Sequence, residues 1–319
     1  MIQLFCTNEN EKVTNLDFST MKNRDMLNNK WIRLVNPTDK EIESVAKLTG
    51  VDEGAIKAPL DDEERSRIEI EDNYSLILFD IPIIEEEEEG YYSYSTLPLA
   101  FILTDKFVIT VCLKDTAVMR DFTLGRVKTF STNKRSRFLF QALYNTSTKF
   151  LQYLKQIDKA SGRIQTELHK STRNKELFQL LDLENSLVYF STSLKGNDVV
   201  INRLIKTSAI IKYEEDQELI EDVAVENQQA IEMSGIYREI LSVTMEGYAN
   251  IINNNQNNIM KILTSITLLL SIPTLISGIW GMNTWVPGEG KWYGFLAVTV
   301  VTVIICIVVG ILLHKKKLL

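Results

Sequence analysis

The sequence predicts an α/β cytosolic N-terminal domain, followed by a long stalk helix and two C-terminal transmembrane helices. Three observations predict this order. Residues 262–280 and 295–313 are apolar blocks without a charged side chain, each close to the ~20 residues that cross a bilayer as a helix. From about residue 214 no proline occurs before Pro273, and apolar side chains recur there at helical spacing. Before residue 130, β-branched apolar runs alternate with a helical pattern, as in α/β domains.

The domain at 1–130 supplies the strands. WIRLV at 31–35, YSLILFDIPII at 74–84, and LPLAFIL and FVITVCL on either side of Thr104, Asp105 and Lys106 are apolar runs bounded by turn residues. The last two predict a hairpin. Residues 39–49 have helical spacing after Pro37, with Thr38 or Asp39 placed to cap the first turn. The glutamate run at 85–89 reads as a solvated, mutually repelling loop and is assigned no site.

Residues 131–213 predict antiparallel cytosolic helices. Phe138, Ala142, Leu143, Phe150, Leu151, Leu154 and Ile157 form one periodic face, and Leu177, Leu180, Leu181, Leu187 and Tyr189 a second. Gly196, Asn197 and Asp198 predict a turn. The stalk follows at 214–260 and continues without a break into the first span at 261–283. At 1.5 Å per residue such a helix is on the order of 100 Å long, too long for one globular element. A loop at 284–291, the second span at 292–314 and a basic tail at 315–319 complete the chain.

The flanks orient the spans, because basic residues near membrane ends stay cytoplasmic. Lys261 precedes the first span and Lys315, Lys316 and Lys317 follow the second, whereas the loop has only Lys291 beside Glu289 and Gly290. Both termini are therefore expected in the cytoplasm, with the loop outside a multi-pass plasma-membrane protein. The start, MIQLFCTNENEK, lacks a signal peptide's basic and apolar regions.

Composition excludes several classes. A net charge of −7 over 319 residues argues against nucleic-acid binding. Cys6, Cys112 and Cys306 form no C-x-x-C pair, and two histidines are too few for a zinc site with them. There is no Gly-rich phosphate loop and no nucleophile motif, so neither an enzyme nor an organic cofactor is expected.

One chain with two spans does not enclose water, so an ion path needs several copies around an axis. Asn257, Met260, Leu263, Thr267, Ser271, Thr274 and Asn283 recur near one stripe of the first span. By spacing alone this stripe serves a pore or a packing face equally, since Ser and Thr in membrane helices often bond their own carbonyls. The second span, rich in Val and Ile, suits lipid.

Gly281, Met282 and Asn283, at the outer end of the first of two C-terminal spans, resemble the signature of the CorA family of divalent-cation transporters. IMKILTSITLLLSIPTLISGIWGMN resembles that family's pore helix, and HKKKLL its basic tail. The resemblance implies a homopentameric funnel that passes Mg2+, with Gly281, Met282 and Asn283 as the selectivity filter. Mg2+ holds its water tightly, so the Asn283 amide is expected to select the hydrated ion through its shell, while neutral oxygens leave release possible. Glu289 matches a loop acid that concentrates cations, although Pro287 precedes Gly288 here, where many members have proline directly before glutamate. Met260 and Leu263 resemble a hydrophobic gate. Asp222 resembles a stalk acid that holds a regulatory Mg2+ against a neighbouring subunit, with Asp61 or Asp62 as the partner. The alternatives are Co2+, Ni2+ or Zn2+ as cargo, or a non-conducting membrane-anchored Mg2+ sensor.

Overall fold

The computed structural model describes residues 1–8, 12–86, 92–168, 174–207, 210, 213–283, 285–286, 288 and 290–316. The chain divides into two compact units, Met1–Val243 and Thr244–Leu319.

The first unit is built on a seven-stranded sheet in the order β2-β1-β3-β7-β6-β5-β4. The strands are β1 (Ile2–Thr7), β2 (Val13–Leu16), β3 (Trp31–Val35), β4 (Arg67–Ile70), β5 (Ser75–Glu86), β6 (Tyr92–Leu103) and β7 (Val108–Cys112). The β3–β7 pair is parallel and the others are antiparallel. The expected hairpin is β6–β7, closed from Leu103 opposite Val108, with Thr104 Oγ1 donating to the Phe107 carbonyl at 2.9 Å. The sequence reading did not single out β1, β2 or β4, which are short and lack a long apolar run.

Both faces of the sheet are covered, and the period of two along β5 shows how. Ile77, Phe79, Ile81 and Ile83 enter one core with Trp31, Phe101 and Phe138, whereas Leu76 and Leu78 enter the other with Ile42, Val45 and Ile56. Alternate side chains of a strand point to opposite faces, so a near-continuous apolar run, interrupted in β5 from Leu76 to Ile84 by Asp80 alone, is what a doubly covered strand requires. The second face carries α1 (Asp39–Thr49) and α2 (Glu53–Lys57). Thr38 caps α1 in a capping box with Glu41, and Gly50 ends it at φ 72°.

The first face carries α3 (Ala117–Thr123), α4 (Arg135–Leu168), α5 (Asn174–Lys206) and the start of α6 (Glu214–Trp280). Phe138, Leu143, Phe150, Leu154 and Ile157 of α4 are buried as expected. On α5, Leu180 and Leu187 are buried, but Leu181 and Tyr189 are 40% and 56% exposed. The turn expected at Gly196, Asn197 and Asp198 is absent, because all three lie inside α5.

Tertiary contacts explain that correction. Asp80 on β5 lies two positions beyond Leu78, where the β4 ladder starts, so its edge-facing backbone groups have no strand partner. Asn197 Nδ2 donates to the Asp80 carbonyl at 2.7 Å, and the Asp80 N–H donates to Asn197 Oδ1 at 2.8 Å. One side chain thus completes the sheet edge. A Cβ on Gly196 would stand 3.1 Å from Ser66 Oγ, so glycine suits this close helix–sheet approach.

The second unit contains the end of α6 and α7 (Trp292–Lys315). Both α6 and α7 contain a stretch long and apolar enough to cross a membrane.

Candidate functional site

The end of α6 has two chemically distinct faces. Leu269, Pro273, Ser277 and Trp280 line a cavity of about 820 Å³ against α7, opposite Thr299, Thr302, Cys306 and Gly310. Pro273 has no N–H, so the carbonyl four residues earlier, that of Leu269, loses its helical donor. Cys306 Sγ approaches that oxygen at 3.9 Å from α7 as a weak donor. Proline and cysteine therefore form one device, legible in sequence only to a search for the partner of each carbonyl freed by a helical proline.

The stripe named from spacing lies away from α7. Taking 100° per residue, its mean direction is roughly 135° from the Leu269–Pro273–Ser277 face. Asn257, Met260, Leu263, Thr267, Ser271 and Thr274 are all exposed in the chain. Thr267 Oγ1 donates to Leu263 O at 2.8 Å, Ser271 Oγ to Leu268 O at 2.8 Å, and Thr274 Oγ1 to Leu270 O at 3.0 Å. Each hydroxyl hydrogen is thus turned back onto the helix, and the outward part of each group is a lone pair.

Helix α6 ends at Trp280, where the Gly281 and Met282 N–H groups donate to Ser277 O and Ile279 O at 2.9 and 3.3 Å. These bonds close the last turn and leave Asn283 just beyond it, exposed. A Cβ on Gly281 would stand 3.2 Å from Ser277 O, so the small residue keeps this turn tight.

Beyond Asn283 the connection is pinned by glycine. Gly288 has φ +87°, and a Cβ on Gly294 would stand 2.6 Å from Gly288 O and 3.5 Å from the Trp280 ring. The sequence reading gave Gly294 no role, although its place in GEGKWYG, just after the loop, is the available signal. Trp285 and Trp292 are 82% and 86% exposed, as suits rings at a membrane–water boundary. Glu289 lies outside the described residues.

The proposed regulatory acids are all in the first unit. Asp222 on α6, Asp61 and Asp62 are exposed, and Asp61 Oδ1 accepts from the Glu63 N–H at 3.1 Å. Among the described residues, no group of three or more His, Cys, Asp or Glu side chains is placed to hold a metal ion. A Mg2+ site complete within one chain therefore does not fit these three acids.

Residues 28–315 match the family model described as CorA-like Mg2+ transporter protein. A cobalt/magnesium transport protein of Methanocaldococcus jannaschii is 28% identical over 292 residues, covering 87% of each chain. A cobalt/magnesium transport protein of Thermotoga maritima is 22% identical over 96% of this chain and 88% of its own. The complete structure of the magnesium transporter from Methanocaldococcus jannaschii superposes with a TM-score of 0.81 at 24% identity, covering 99% of this chain and 98% of that one. The α/β unit, the long helix and the apolar C-terminal helix are thus those of a known fold.

Proposed function

Since the chain belongs to the family of CorA-like Mg2+ transporter proteins, we propose that it carries Mg2+ across the plasma membrane through a pore enclosed by five copies. Divalent-cation transport is the activity of its named relatives. The carrying observation is the exposed stripe of α6, whose hydroxyl hydrogens are all bonded inward. Water bound to Mg2+ donates hydrogen bonds, so a wall of lone pairs accepts the hydrated ion without stripping it.

In this reading Gly281, Met282 and Asn283 form the outer filter, and Asn283 from each copy accepts from the ion's water. Glu289 raises cation concentration at the mouth. Met260 and Leu263, 53% and 56% exposed in the chain, form apolar rings that close the cytoplasmic end by dewetting. Both termini are cytoplasmic. A regulatory Mg2+ sits between subunits, held by Asp222 of one copy and by Asp61 or Asp62 of the next, and favours the closed state by mass action.

The test is Mg2+ uptake into proteoliposomes containing the parent or Asn283→Ala. Uptake by the parent and at least tenfold less by the variant is expected; equal uptake rejects the filter. Co2+ as a second cargo is favoured by the name of the relative in Methanocaldococcus jannaschii, and competition by Co2+ in the same vesicles decides it.

A further inference from the structure

The break at Pro273 involves more than one carbonyl. Leu269 O has lost its helical donor to the proline and is approached by Cys306 Sγ of α7 at 3.9 Å. The carbonyls on either side also receive side chains, Leu268 O from Ser271 Oγ at 2.8 Å and Leu270 O from Thr274 Oγ1 at 3.0 Å. Three successive carbonyls thus accept from side chains, two of them on the stripe itself and one on the neighbouring helix. An internal proline bends a helix, and back-bonded serine or threonine does the same. The groups that loosen the ladder of α6 are therefore gathered in one stretch.

What α7 offers at this level is limited. Thr299 and Thr302 line the same cavity, and each spends its hydroxyl hydrogen on its own helix, at Phe295 O (2.8 Å) and Val298 O (2.7 Å). Of these three α7 side chains with a hydrogen to give, Cys306 is the one that reaches α6. Gly310, four residues on and on the same face of α7, also stands against Leu269, whose Cδ2 lies 4.0 Å from the position of an added Cβ.

We propose that Cys306 is a positioning residue for ion passage. Its thiol splints the opened turn at Pro273, so that α7 sets the direction of α6 beyond the proline, and with it the placement of Thr274 and Asn283 relative to Thr267. This role rests on the transport reading, in which those three residues share one pathway. A thiol is a weak donor, so the splint holds the bend and can also release it. The cavity of about 820 Å³ beside the contact leaves room for that release.

Infrared spectra of the full-length protein in detergent test the bond, with Cys306→Ala identifying the Cys306 S–H stretching band by difference. In the parent this band is expected below the position of an unbonded thiol. In Pro273→Ala, where residue 273 again has an N–H for Leu269 O, it is expected to move up to that position. Mg2+ uptake into proteoliposomes tests the role. Cys306→Ala is expected to lower maximal uptake about threefold (about 0.7 kcal/mol), within the net worth of one hydrogen bond, and to make no difference when added to Pro273→Ala. A band at the unbonded position in the parent, or unchanged uptake in Cys306→Ala, overturns the proposal. So does the same fractional loss with and without Pro273, which is what packing of a small apolar side chain gives. A parent that carries no Mg2+ overturns the transport reading and this role with it, whereas the infrared band reports on the splint alone.

Discussion

Asp80 shows how a single side chain carries both stability and a limit on sequence reading. Its backbone is held by Asn197 at the sheet edge, and burial raises its carboxyl above the usual carboxylate range, with a hydrogen bond from Ser193 opposing the shift. A raised carboxyl binds its proton more tightly folded than unfolded, so stability falls as pH climbs from the unfolded value near about 3.9 through the folded one. Asp80→Asn removes the ionisation and leaves an acceptor for Ser193. It is expected to melt a few degrees higher than the parent at about pH 7 and to match it near about pH 4, read by thermal denaturation across that range. The same neighbourhood was misread from sequence because Gly-Asn-Asp favours a turn locally. Asn197 is instead fixed by Asp80, more than a hundred positions earlier, which no local pattern reports. Thr38, by contrast, caps α1 through Glu41, three residues on, and short-range chemistry of that kind is visible in the chain.

At the level of elements, what was legible is what period and length control. The long apolar strands, α1 and the unbroken α6 were evident, because each is specified by its own residues. The pairing of α6 with α7 was not, because it depends on two local exceptions, the carbonyl released by Pro273 and the glycine contact behind the loop. Gly294→Ala tests the second. Its new methyl would meet the Gly288 carbonyl oxygen at 2.6 Å, and overpacking of this kind costs about 1–3 kcal/mol. A lower melting temperature in detergent is expected, whereas Gly247→Ala, with nothing within 4 Å of the added carbon, melts like the parent or slightly above it. Equal melting of the two variants would show that the loop yields without cost.

For the whole molecule, the candidate site is one stripe of one helix, and the sequence pointed to it by position: GMN at the outer end of a span, with Thr274, Ser271 and Thr267 about two, three and four turns below Gly281. Spacing alone did not divide pore from packing face. The separation of that face from α7, together with membership of a transporter family, is what supports the pore reading. The acids proposed for regulation, Asp222 with Asp61 or Asp62, rest on the resemblance alone, since the described residues hold no cluster of three or more acids, His or Cys placed for a metal. Asp222→Ala is expected to lose at least half of the protection that millimolar Mg2+ gives the assembled protein against protease, with Asp61→Ala and Asp62→Ala identifying the partner. Full protection in Asp222→Ala would remove that residue from the sensor. The stripe has a further consequence for bulk conditions. Residues 262–288 include no Asp, Glu, His, Lys or Arg, so the wall of the proposed pore would have nothing to titrate. In that reading a preference for positive over negative solutes would come from fixed dipoles, and a steep acid–base dependence of flux would have to originate in titratable groups outside this stretch.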